Sequence, residues 1–418
     1  MPSSERAGAA RHRSATCGGC GLVCDDIRAV IGDDGGLERL IRTCPLGDAW
    51  FAQRAGPRPP AARVEGRETG IDQALDEAAA TLARARAPLV YGLGQTSCEA
   101  QRAAVALAEA IGAVIDPAGP LLDGASGTAA QARGASTATL GEVRDRADIV
   151  VVWRADPVAT HPRLLERLRL PDADRALVVV DERRTATAAQ ADTFLALAAD
   201  RDLEALSTLR AHVRGSPIVP AAGLEPLDEL AARLRAGRNV AILHHVRGHV
   251  EALALHALVR DLFDVTHAVA LTLRHEANAA GAENVLAWQT GYPAAVGFAT
   301  GHPRASGELT GAAVLARGDA DAALVVGSDP LEHLPPPAAA RLRAIPVVSV
   351  DARGTATADA AHVAFTTGAA GVHRPGVAHR LDGVPVPLRA VLSSSRPSDE
   401  EVLAAIAERV ARTGEDAA

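Results

Sequence analysis

Short apolar runs alternate with longer amphipathic stretches along most of the chain. Residues 71–86 place Ile71, Leu75, Ala78, Ala79 and Leu82 at the three-to-four spacing of a helix with one buried face. An apolar strand is predicted over 88–91. Gly92-Leu93-Gly94 then turns into a helix over 98–111, and a new strand begins at Val114-Ile115. Further strands are predicted over 149–153, 177–180, 240–243, 323–326 and 347–350, with a last helix over 400–412. Strands that are apolar throughout, each separated from the next by a helix, predict parallel sheets covered on both faces. The expected class is α/β, built from doubly wound units. Gly56-Pro57-Arg58-Pro59-Pro60 reads as a linker ahead of these elements.

A repeat runs through the pattern. Strand 149–153 leads to Asp156-Pro157 and His161-Pro162, and the next strand ends in Asp181, followed by Thr185-Ala186-Thr187-Ala188. The second copy runs through Gly327, Asp329-Pro330 and His333 to Asp351 and Thr355-Ala356-Thr357-Ala358. Two nucleotide-binding βαβ units account for this pattern. An Asp past a strand's carboxyl end accepts hydrogen bonds from a ribose or a guanine edge, and a helix start receives phosphate. A duplicated structural unit whose Asp residues only cap helices accounts for it equally.

Composition narrows the classes. The 418 residues carry a formal net charge of −8 with no basic stripe, which argues against nucleic acid as a partner. Every basic residue is Arg. No apolar run approaches the roughly 18 residues of a membrane helix. The stretch Met1 to Ser14 is polar and shows no secretory signal, so a cytoplasmic location is expected.

Of the five cysteines, four fall in the first 44 residues. Cys17, Cys20, Cys24 and Cys44 follow the spacing C-x2-C-x3-C-x19-C, with Gly18, Gly19 and Gly21 between the first three. Thiolates this close wrap one small inorganic body, and a remote fourth closes the cage. A cubane cluster and a tetrahedral zinc both accept four thiolates. Three on one tight loop plus one distant favour a [4Fe–4S] cluster; a vestigial empty loop is the remaining alternative.

A cluster loop followed by two such units resembles the molybdopterin oxidoreductases. Within them the chain resembles one branch most, the B subunits of formylmethanofuran dehydrogenase and of the bacterial formyltransferase/hydrolase complex. The segments that carry the likeness are 91–102, Asp156-Pro157 with His161-Pro162-Arg163, Trp288-Gln289-Thr290-Gly291-Tyr292-Pro293, 301–304, 307–311, Gly327-Ser328-Asp329-Pro330 and 383–385. The resemblance implies a bis-pterin tungsten or molybdenum site between two halves, interconverting carbon dioxide and formate, with the cluster as electron exit. It implies companion A, C and D-type subunits, one a separate β-barrel closing over the pterin, and a methanofuran-type C1 carrier held by other subunits. After Arg389 only a polar stretch and one helix are expected, which agrees with a barrel on a partner subunit. The implied organisation is an iron–sulfur domain over 1–56, a central unit over 57–120 and 245–320, a first nucleotide-type unit over 121–244, a second over 321–395, and a C-terminal helix and tail over 396–418. The cofactor-side residues the resemblance implies are Asp156, His161, Arg163, Asp181, Thr185, Gly291, Gly327, Asp329, Asp351 and Thr355.

The sequence departs from that family at the metal. Where the dehydrogenase carries a Cys or selenocysteine ligand followed by His, this chain aligns Leu122 and Asp123. A leucine has no lone pair to offer. Cys98 precedes the preceding helix and reads as a packed thiol; Asp123 or Ser126 are possible oxygen ligands. The expected reading is a non-redox B subunit whose molybdopterin or tungstopterin guanine dinucleotide is doubtful. An active tungsten or molybdenum subunit with an unusual ligand, and a pterin-free electron carrier, are the alternatives. His244, His245 and His249 are expected in a polar loop facing the pterin cavity, with Arg247 as its anion-facing arginine. His275, Glu276 and Asn278 are expected at a capped helix start.

Overall fold

The computed structural model describes residues 11–117 and 124–415. Three antiparallel strands, Arg11–Ala15, Ile27–Ile31 and Leu37–Ile41, form the N-terminal unit. The cysteine loop 17–24 lies between the first two, and Cys44 precedes the helix Pro45–Ala55. Pro45 opens that helix, where its missing N–H costs nothing.

Two larger sheets follow. Ile149–Trp153, Ala176–Asp181, Thr193–Ala196, Asn239–His244 and His267–Thr272 form a parallel five-stranded sheet. Numbered along the chain, its order reads 3-2-1-4-5. The direction of strand addition reverses between Ile149–Trp153 and Asn239–His244, so their carboxyl ends frame a crevice. All five residues of Ile149–Trp153 are buried, as a strand covered on both faces requires.

The second sheet has nine strands. Its parallel centre comprises Val114–Asp116, Pro88–Gly92, Ala322–Val326, Val347–Asp351 and Val363–Thr366. Short antiparallel strands flank it on both sides. Helix Ile71–Arg84 buries Leu75, Ala78, Ala79 and Leu82 of the stripe its periodicity predicts, with Ala74 added and Ile71 half-buried. The C-terminal helix Asp399–Glu415 packs on it and on helix Cys98–Ala110. A hairpin of Gly376–His379 and Pro385–Leu388 leans on the cysteine loop, with Ala378, Val386 and Leu388 around Val23.

Two expected boundaries shift. Strand His267–Thr272 pairs in parallel with Asn239–His244, from Asn239↔His267 to His244↔Thr272, so residues 245–272 extend the first unit rather than the central one. A strand–helix–strand crossover returns to its own sheet and buries Ala268 and Ala270 there. Apart from the Gly376–His379 and Pro385–Leu388 hairpin, the strands of 321–395 likewise form no sheet of their own. Ala322–Val326 pairs with Pro88–Gly92 and merges both segments into one sheet. Among the described residues no helix is long and apolar enough to cross a membrane.

Candidate functional site

Cys17, Cys20, Cys24 and Cys44 line one small cavity, together with Gly19, Gly47 and Arg163. The loop is shaped by its own backbone: Cys17 N–H donates to Cys24 O at 2.9 Å and Val23 N–H to Cys20 O at 3.1 Å. Gly19 N–H points at Cys17 Sγ, 3.3 Å away. There is no room for larger residues. A Cβ on Gly47 would lie 3.1 Å from Cys17 Sγ, and one on Gly18 would lie 2.6 Å from the Trp50 ring. Burial, reinforced by the neighbouring thiols, raises the Cys17 pKa and pushes that of Cys20 up to about 12. Burial also raises that of Cys24. Such thiols ionise only if a cation joins them, so donor set and cradle both fit a metal-containing guest. Among the described residues no group of three or more His, Cys, Asp and Glu is arranged to hold a single metal ion.

Several elements converge on this loop. Asp26 takes a two-pronged ion pair from Arg163 and a further bond from Arg167 at 2.8 Å. Gly21 N–H donates to His275 O at 3.2 Å, and Gly21 O accepts from Leu381 N–H at 2.8 Å. Buried Arg54 lies over the Trp50 ring, 4.4 Å from its centroid, and both side chains donate to Gln95 Oε1. Burial, then the charge of Arg353, lowers the Arg54 pKa to about 9.

Two larger cavities adjoin at Arg247, which lines both. One, of about 610 Å³, occupies the crevice at the ends of Ile149–Trp153 and Asn239–His244 and is bordered by Asp156, Asp181, Thr185 and His245. The other, of about 480 Å³, is bordered by Asp116, Thr128, His249, Tyr292 and Pro293. Arg247 is exposed and has no ion pair among the described residues.

Most of the other cofactor-side residues are engaged by the fold. Asp156 Oδ1 accepts from Thr187 N–H and Oγ1 at 3.0 and 2.5 Å. Asp329 Oδ1 accepts from Thr357 N–H and Oγ1 at 2.9 and 2.6 Å. Both aspartates have φ −123 and ψ 75. Thr185 and Thr355 accept from the N–H groups of Ala188 and Ala358. Asp351 holds Arg353. Arg163 faces the cysteine cavity instead of a nucleotide crevice, because Asp26 draws it there. His161 is fully buried with Nε2 2.7 Å from Arg274 O, and burial lowers its pKa to about 4. Gly291 ends helix Ala279–Thr290 with φ +85, and Gly327, at φ +55, packs on Gln95 and Thr96.

The expected polar histidine loop is not one loop. His244 is the buried last residue of its strand, and His249 opens the helix His249–Phe263. Asn278 does not cap the helix it precedes. Its side chain bonds Thr96 O and His379 N–H, tying the turn after strand Pro88–Gly92 to the hairpin strand Gly376–His379. Sequence reasoning missed Arg274, whose only signal was its position next to His275.

The chain is 33% identical over 427 residues to the B subunit of the tungsten-containing formylmethanofuran dehydrogenase 2 of Methanocaldococcus jannaschii, covering 95% of this chain and 98% of that protein. It belongs to the family of formylmethanofuran dehydrogenase B subunits. Within the family, the counterpart from Methanococcus maripaludis is 30% identical over 428 residues, with 95% and 98% covered. The B subunit of the formyltransferase/hydrolase complex Fhc of Methylorubrum extorquens is 31% identical over 325 residues, covering 74% of this chain and 86% of that subunit. In the crystal structure of FhcABCD from that organism, in complex with methylofuran, one chain superposes with a TM-score of 0.71 at 29% identity, covering 85% of this chain and all of that one. No protein-family model matches the sequence. Leu122 and Asp123, the positions at which the family's metal ligand is expected, lie outside the described residues. Ser126 lies inside them, and its Oγ is 2.7 Å from Thr272 Oγ1.

Proposed function

We propose that this chain is the B subunit of a hetero-oligomeric formyl-transferring complex, and that it no longer performs tungsten or molybdenum redox chemistry. The observation that carries this reading is Leu122 at the position of the metal-ligating thiolate. An aliphatic side chain cannot replace a thiolate lone pair. The likeness to a subunit of FhcABCD supports the assembly. Companion A, C and D-type subunits carry the formyl chemistry and hold a methanofuran-type carrier; a β-barrel subunit covers the crevices. The family's pterin nucleotide has residues to meet it: Asp181 for ribose hydroxyls and Arg247 for an anion. A [4Fe–4S] cluster is held by Cys17, Cys20, Cys24 and Cys44. When bound it supplies an electron store and a cross-link among four chain positions.

The test is elemental and pterin analysis of the purified complex. Iron and sulfide at about four each per copy of this chain, without tungsten or molybdenum, is the expected result; near-stoichiometric tungsten or molybdenum overturns the reading. A second reading, an active tungsten subunit, is favoured by the match to the tungsten-containing relatives over 95% of the chain, against 74% for the Fhc relative.

A further inference from the structure

Residues 272–275 touch both the cysteine loop and the wall of the 480 Å³ cavity. On the loop side, Gly21 N–H donates to His275 O, and a Cβ on Gly21 would lie 2.2 Å from Arg274 O. The same Arg274 carbonyl lies 2.7 Å from His161 Nε2. The loop is therefore seated against a carbonyl that only a glycine can approach.

On the cavity side, Thr272 Oγ1 meets Ser126 Oγ at 2.7 Å, and Arg274 forms a largely buried ion pair with Glu283. Glu283 in turn is close against Gly127, where a Cβ would lie 3.0 Å from Glu283 Oε2. Ser126 and Gly127 belong to helix Gly124–Arg133, which supplies Ala125, Thr128 and Gln131 to the cavity. That helix has a weakly apolar sequence, GASGTAAQAR, and on its own would be marginal.

We infer that this four-residue segment couples occupancy of the cysteine cavity to the order of helix Gly124–Arg133, making the cluster a latch on the cavity wall. This rests on the cluster reading above. It also gives the four cysteines a use that needs no metal at Leu122. With a guest bound, the loop 17–24 holds Arg274 and His275 in register, and those residues hold Ser126, Gly127 and Glu283. Without it, nothing ties the four cysteine positions together, the loop is free to open, and local opening spreads along the packed contacts.

The test is hydrogen–deuterium exchange on the intact complex, cluster-loaded and then stripped with an oxidant and a chelator. Exchange is expected to rise roughly tenfold or more in 17–24, 272–276 and 124–133, while strand Ile149–Trp153 stays protected. A rise confined to 17–24 overturns the inference. The double substitution Thr272→Val with Ser126→Ala, and separately Glu283→Gln, keeps the cysteines and cuts the link. Iron content is expected to persist, with exchange in 124–133 already raised and no longer responsive to stripping. A full response in both variants also overturns it. Absence of iron and sulfide from the native complex overturns the cluster reading itself, a separate outcome.

Discussion

Arg163 grips Asp26 with both guanidinium branches, Nη1 to Oδ1 and Nη2 to Oδ2, each at 2.8 Å. The pair fastens the end of the cysteine loop to the first α/β unit. Hydrogen bonding from Arg163 holds the Asp26 carboxyl well below the usual carboxylate range. A depressed folded value means stabilisation that is complete above the unfolded pKa, near 4, and lost as pH falls through the lower folded value. Asp26→Asn is expected to cost about 1–3 kcal/mol at neutral pH and to flatten the acid side of the stability profile. Urea unfolding between pH 3 and 7 checks both.

Gly21→Ala is expected to unseat the loop, because its Cβ would meet the Arg274 carbonyl oxygen at 2.2 Å. Overpacking against backbone costs about 1–3 kcal/mol. Iron per chain after purification should drop, whereas Gly70→Ala, at a helix start with φ −65 and open space around it, should leave iron unchanged.

Thr187→Val and Thr357→Val should each cost about 1–2 kcal/mol, since each removes a hydroxyl donor from a partly buried aspartate. The two sites lie in different sheets, so the effects should add. Denaturant midpoints of the two single variants and the double variant measure this.

Asp399 is buried and accepts short hydrogen bonds from the hydroxyls of Thr96 and Thr367. Burial pushes its pKa up to about 6. A raised folded value gives stability that is present below the unfolded pKa and lost as pH rises through about 6. Wild type is expected to lose on the order of 1–3 kcal/mol between pH 4 and 7 from this group, a slope that Asp399→Asn removes. Paired thermal melts of the two proteins across that range decide it.

The parallel character of the sheets was legible because buried strands such as Ile149–Trp153 spell it in consecutive apolar residues. The recurrence of an Asp-Pro followed by a Thr-Ala-Thr-Ala, at Asp156 and Thr187 and again at Asp329 and Thr357, was legible because one hydrogen-bond pattern is made twice. What that pattern does was not legible, since a spacing cannot say whether a carboxylate faces a ligand or its own chain. Strand His267–Thr272 was missed because its apolar run opens with a histidine after a long helix. The convergence of Gly21, His161, Glu283 and Ser126 on residues 272–275 was invisible for a different reason. Two of these contacts end on backbone carbonyls, and all but that of Glu283 join positions more than a hundred residues apart.

Both rims of the nine-stranded sheet finish in two-residue strands, Arg67–Glu68 and Arg304–Ala305, exposed throughout and bearing charge. Such blunt, charged ends give an incoming chain almost no ladder to template on. The largest sheet of this molecule is thereby guarded against edge-to-edge aggregation. Any partner would have to recognise it by side chains on its loops and helices, a mode that selects by shape and charge instead of by indiscriminate strand addition.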